Sequence, residues 1–90
     1  MHMLRQLHAL VVDDEPHFRD LLCRQLERIC PSISVMQTAT GAKEAERMIL
    51  DLAPDVVFMD IHMPNRSGLE LLEALSDRDF YLVFTTAYDR

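Results

Sequence analysis

The sequence predicts an α/β fold, a doubly wound parallel sheet, on three observations. Four short apolar runs alternate with three stretches of helical periodicity. Three of the runs are apolar almost throughout, as strands covered on both faces are. Strand, helix, strand, helix, strand, helix, strand is the order of right-handed βαβ crossovers, which place helices on both faces of a parallel sheet. Ninety residues make one domain, near the lower end of what a single core stabilises.

The first run, "LHALVV" at 7–12, passes directly into Asp13, Asp14, Glu15 and Pro16. Phe18, Leu21, Leu22, Leu26 and Ile29 then recur at helical spacing, giving one apolar stripe on a helix that Pro31 stops. "ISVMQT" at 33–38 alternates, with Ile33 and Val35 apolar against Ser34 and Gln37, as an edge strand with one wetter face does. Ala45, Met48, Ile49 and Leu52 repeat the helical spacing before Pro54. "DVVFMD" at 55–60 is the third strand. "SGLELLEALS" opens on a capping box, Ser67 with Glu70, and turns Leu69, Leu72 and Leu75 inward. "FYLVFTT" at 80–86 is the fourth strand.

With the alternating strand at one edge, the expected spatial order is 2-1-3-4, and the winding reverses between strands 1 and 3. Ligands of open α/β sheets bind outside the carboxyl ends of the strands at that point. Asp13 and Asp14, Asp60, and Thr85 and Thr86 follow or end strands 1, 3 and 4. Carboxylates gathered there repel, by on the order of 1–4 kcal/mol for a pair near 4 Å. A hard divalent cation removes that cost. Mg²⁺ takes oxygen ligands, one or two carboxylates with a substrate phosphate, and no thiol or imidazole group suggesting zinc is clustered here. Capping of the following helix, which Pro16 suits, accounts for one of the acids but leaves the second and Asp60 unexplained. A carboxylate beside Mg²⁺ can act as a nucleophile toward phosphorus, which makes Asp60 a candidate to form an acyl phosphate.

Composition excludes several classes. The net charge of −6 leaves no basic surface for a phosphate backbone, so DNA binding requires another domain. No apolar stretch approaches membrane-spanning length and the start lacks a signal-peptide pattern, so a cytoplasmic location is expected. Cys23 and Cys30, if on one helix, stand about 10 Å apart, beyond disulfide reach.

Three motifs in order carry a family resemblance. "VVDDEP", "VVFMDIHMPNRSGLELL" and "VFTTAY" resemble the acidic pair, the phosphoacceptor strand and loop, and the fourth strand with its switch hydroxyl in receiver domains of two-component response regulators. The resemblance implies the flavodoxin-like receiver fold and makes Asp60 the acceptor of a phosphoryl group from a sensor histidine kinase. It implies Mg²⁺ held by Asp14, by Asp13 through water, by Asp60 and by the backbone carbonyl of His62. Thr86 takes the switch position, with Thr85 turned to the other side. Such a chain is at most self-phosphorylating with slow loss of the group, and is not a turnover enzyme. The "FTTAYDR" ending and "DIHMPNRSG" loop most resemble receivers attached to LytTR-type DNA-binding output domains.

The family pattern continues further than these residues. Its lysine after a fifth strand and its last helix have no counterpart before Arg90, so an incomplete receiver over residues 1–90, truncated after strand 4, is expected. An apolar last strand would then be an open edge, and the first helix would lack a neighbour on its face of the sheet. A homo-oligomer or domain-swapped dimer is the expected form of this chain. The alternative to the phosphoacceptor is an interaction module that dimerises without phosphorylation. A Mg²⁺-dependent phosphatase would want two aspartates separated by one residue after the first strand, which "DDEP" does not provide.

Overall fold

The computed structural model describes residues 6–60, 70, 71, 73, 75 and 79–85. Its elements are β1 (Leu7–Val12), α1 (Pro16–Ile29), β2 (Ile33–Ala39), α2 (Ala42–Leu52), β3 (Val56–Asp60) and β4 (Tyr81–Thr85). All pairs are parallel and the strand order is β2-β1-β3-β4, as the sequence predicts. Among the described residues no helix is long and apolar enough to cross a membrane.

The inner strands owe their place to their composition. Ala9, Leu10, Val11 and Val12 of β1 and Val56, Val57 and Met59 of β3 are all buried, because both faces of these strands are covered. Leu10, Val12, Val57 and Met59 form one core with Ala42, Ala45 and Ile49 of α2 and with Leu71 and Leu75. Residues 70, 71 and 73 are helical, and the Leu75 amide donates to the Leu71 carbonyl at 3.1 Å. Leu71 and Leu75 are both buried on this segment, an i, i+4 pair; of the Leu69, Leu72 and Leu75 that the sequence pattern turns inward, Leu75 is so placed. Ser67, Leu69 and the side chain of Leu72 lie outside the described residues.

Both helices start one step away from the simplest pattern. Glu15 is the N-cap of α1: its carboxylate accepts from the His17 amide at 3.1 Å, with Pro16 in the first helical position. That frees Asp13 and Asp14 from the capping role the sequence offered one of them. At α2 the cap is Gly41, and Glu44 reaches back to accept from the Thr40 amide at 2.8 Å. The helix closes at Ala53 in the left-handed conformation (φ 49°), directly before the buried Pro54.

β2 is the edge strand the alternation predicts, but its alternation is broken. Ala9 pairs with Val35 and Leu10 with Gln37, so Met36 is an extra residue bulged out of the ladder, and it is exposed. A bulge bends an edge strand and spoils it as a template for further pairing.

The other sheet face is thinly covered. Leu26 of α1 is buried, whereas Leu21 and Ile29 of the same predicted stripe are 50% and 72% exposed. Tyr81 and Val83, which share a face with their register partners Val56 and Phe58, are 74% and 42% exposed. Helical spacing marks a stripe that can be buried; whether it is depends on a neighbour. Cys23 and Cys30 are free and half-buried, as expected, and burial, with Asp20 next in effect, pushes the Cys23 thiol up from its ordinary value.

Asp55 ties the amino ends of three strands. Its carboxylate accepts from the His8 amide at 2.8 Å, its own amide donates to the His8 carbonyl at 2.8 Å, and its carbonyl accepts from the Tyr81 amide at 2.9 Å. Asp55→Ala removes the carboxylate's contacts, the bond from the His8 amide and the 3.6 Å approach of the His8 Nδ1 among them, and leaves both main-chain bonds. We expect a loss of about 1 kcal/mol in urea unfolding with an unchanged denaturant slope.

Candidate metal and phosphoacceptor site

The parallel register of β1 and β3 builds the site. Val12 pairs with Met59, so the next residues, Asp13 and Asp60, leave the two central strands side by side. Here the sheet changes winding direction, with β2 to one side and β4 to the other. Asp14 follows on the same turn. One carboxylate oxygen from each of Asp13, Asp14 and Asp60 lies within 4.8 Å of the others. The three acids that the sequence assigned to one rim do meet.

Their environments differ. Asp60 is 1% exposed and Asp13 6% exposed, whereas Asp14 is open to solvent. The Asp13 amide continues the β1 ladder by donating to the Ala39 carbonyl at 3.0 Å, and its Oδ1 accepts from the Glu15 amide at 2.9 Å. This closes a tight turn between strand and helix that presents Asp14 outward. On the Asp13 main-chain oxygen sits Arg19, whose Nη1 donates to it at 2.8 Å. Arg19 had no place among the residues the sequence singled out. Its separation of six positions from Asp13, across a turn and one helical turn, is a contact that only the folded backbone reveals.

Thr85 is the register partner of Asp60, so the ends of β3 and β4 stand side by side at this rim. Thr86 and His62, the switch hydroxyl and the carbonyl ligand of the resemblance, lie outside the described residues.

Chemically this is an all-oxygen, triply acidic pocket at the carboxyl end of a parallel sheet. Two of its three acids are buried. Pairs of charges at this spacing repel by on the order of 1–4 kcal/mol. The donor set suits a hard, oxygen-seeking cation and gives no purchase to one that prefers sulfur or imidazole.

Comparison with known proteins agrees with the fold. The response regulator receiver domain family matches residues 9–90, and the chain belongs to that family. Among curated relatives, it is 38% identical over 86 residues to the sensory transduction protein LytT of Enterococcus faecalis, covering 93% of this chain and 35% of LytT. It is 40% identical over 84 residues to the transcriptional regulatory protein BtsR of Salmonella typhi, again covering 35% of that protein. The chain thus spans about a third of the length of these relatives. Among solved structures, the signal receiver domain of the putative response regulator NarL from Mycobacterium tuberculosis superposes with a TM-score of 0.84 at 26% identity, covering 96% of this chain and 70% of that one. The response regulator domain of Thermotoga maritima CheB gives 0.82 at 30% identity, covering 96% of this chain and 64% of that one. This is a receiver domain of the two-component response regulators, with the flavodoxin-like sheet order.

If like charge is the main force on this pocket in the absence of a cation, Asp60→Asn relieves it. We expect Asp60→Asn to raise the melting temperature in metal-free, EDTA-containing buffer by roughly 4–8 °C per kcal/mol of repulsion removed. A fall in melting temperature would contradict the clustered-carboxylate picture.

Proposed function

We propose that this chain is the phosphoacceptor of a two-component pathway, with Asp60 taking the phosphoryl group of a phosphohistidine on a sensor histidine kinase. The observation that carries this reading is the position of Asp60: a buried carboxylate on the last residue of β3, with one oxygen within 4.8 Å of oxygens from Asp13 and Asp14. An Asp60 oxygen attacks phosphorus as the bond from phosphorus to the imidazole nitrogen breaks. The electron pair leaves with the imidazole, and the product is an acyl phosphate. Asp13, Asp14, Asp60 and the backbone carbonyl of His62 are the residues that would hold Mg²⁺. When bound, the ion neutralises charge on the carboxylates and on the phosphoryl oxygens.

The chain's own residues divide the remaining work. Burial of Asp60 keeps water away from the acyl bond, and the exposed Asp14 leaves the pocket open on its solvent side. Thr86 is the proposed switch, its hydroxyl drawn to the new phosphoryl group, with the added charge biasing a two-state surface. In this reading the protein works in the cytoplasm and reaches DNA only through an output domain outside these residues. The description of BtsR as a transcriptional regulator supports that arrangement.

A second reading is favoured by the exposed faces of Tyr81, Val83, Leu21 and Ile29: an interaction module that dimerises, or swaps elements, without phosphorylation. One experiment separates the two. Incubation with acetyl phosphate, or with beryllofluoride, in the presence of MgCl₂ is followed by intact-mass analysis and by light scattering. The phosphoacceptor reading predicts a Mg²⁺-dependent adduct that is abolished in Asp60→Asn. A dimer with no adduct under any of these conditions would establish the interaction module instead.

A further inference from the structure

We propose that the extra residue at Met36 is an edge guard: the packing of the domain does not need it, and it keeps β2 from pairing with the β2 of a second copy. The acidic pocket plays no part in this role.

β2 needs a guard more than most edge strands do. At seven residues it is the longest of the four described strands, although edge strands are commonly kept short. Between Arg28 and Lys43 the sequence carries no Asp, Glu, Lys or Arg, and no Pro lies within the strand. Charges and prolines are common means of blunting an edge. "ISVMQTA" is instead neutral and holds Ile33, Val35 and Thr38, the composition from which strands stack on copies of themselves. Among the described residues β2 has a strand neighbour on one side, β1.

The register shows that the extra residue is dispensable to the packing. Leu7, His8 and Ala9 pair with Ile33, Ser34 and Val35, and Leu10, Val11 and Val12 pair with Gln37, Thr38 and Ala39. Side chains alternate between faces along a strand, so consecutive residues of β1 call for consecutive partners on β2. With Met36 removed, Val35 and Gln37 would become neighbours, each already opposite the β1 residue it faces now. Ala39 would keep its place with Val12 in the core. Met36 itself is 38% exposed and takes no part in that core.

What the extra residue changes is the outer edge. It bends the strand and increases its twist, so the outward amides and carbonyls lose the even spacing that a partner strand needs. Bulges are rare in parallel pairs, and this one stands in the middle of a strand that has no charge and no proline to protect it. Association between copies is thereby left to other surfaces.

The test compares the unmodified chain with a chain lacking Met36, by light scattering and by amide hydrogen exchange at several protein concentrations. The deletion is expected to leave the urea midpoint unchanged or higher. It is expected to make the amides of residues 33–39 exchange about tenfold more slowly at millimolar than at micromolar concentration, as oligomers form through β2. In the unmodified chain exchange at these residues does not depend on concentration. Gln37→Lys in the deleted chain sets a charge on the straightened edge and abolishes the dependence. Deletion of Gln37 in place of Met36 straightens the strand in the same way and gives the same result. Exchange at residues 33–39 that is independent of concentration in the folded deletions overturns the proposal, and so does a dependence already present in the unmodified chain. Failure of both deletions to fold overturns it as well, because the extra residue would then serve the fold.

Discussion

The constraint on which the site depends is a register that gathers the like-charged side chains of Asp13, Asp14 and Asp60 at one rim, with one oxygen of each within 4.8 Å of the others. The pairing of Val12 with Met59 fixes where the two central strands end relative to each other. Burial of their side chains makes that register expensive to slip, since a shift of one residue would undo the packing on both faces and draw an acid into the core. The hydrophobic core therefore confines charge that would otherwise spread. In the proposed function, a cation and a phosphoryl group are the chemistry that such confinement favours; the membership of the chain in the receiver family is consistent with that proposal.

The architecture around this point separates rigidity from response. One face of the sheet carries the main core, with α2, Leu71 and Leu75 packed on Leu10, Val12, Val57 and Met59. The opposite face, bearing α1, leaves Leu21, Ile29, Tyr81 and Val83 open. Asp55 clamps the amino ends of the strands, and Arg19 donates to the Asp13 carbonyl just past the carboxyl end of β1.

Much of the fold was legible in the residues because each level repeats the same message. "LHALVV" and "VVFMD" are too apolar for anything but inner strands, and the acids that end them mark the carboxyl rim. Alternation put β2 at an edge, from which the order follows. Less was legible where an outcome depends on a neighbour. The bulge at Met36 comes from fitting β2 to β1, and nothing in "ISVMQT" marks it. The burial of Leu71 comes from its packing on the core, and the pattern in "SGLELLEALS" did not single it out. Glu15 as the cap is hidden by the two better capping residues that precede it. The candidate acids were found because like charges crowded at a strand end need an explanation. Arg19 was not, because an arginine on a helix surface ordinarily needs none.

The most direct test of the central claim is a double-mutant cycle between Asp14→Asn and Asp60→Asn, measured by urea unfolding first in EDTA and then in saturating MgCl₂. Charges confined to one pocket predict repulsive coupling without metal, so that the double substitution stabilises by less than the sum of the singles. With Mg²⁺ the coupling should reverse, the double substitution costing less than the two single losses combined. Additive effects under both conditions would mean that these carboxylates act independently.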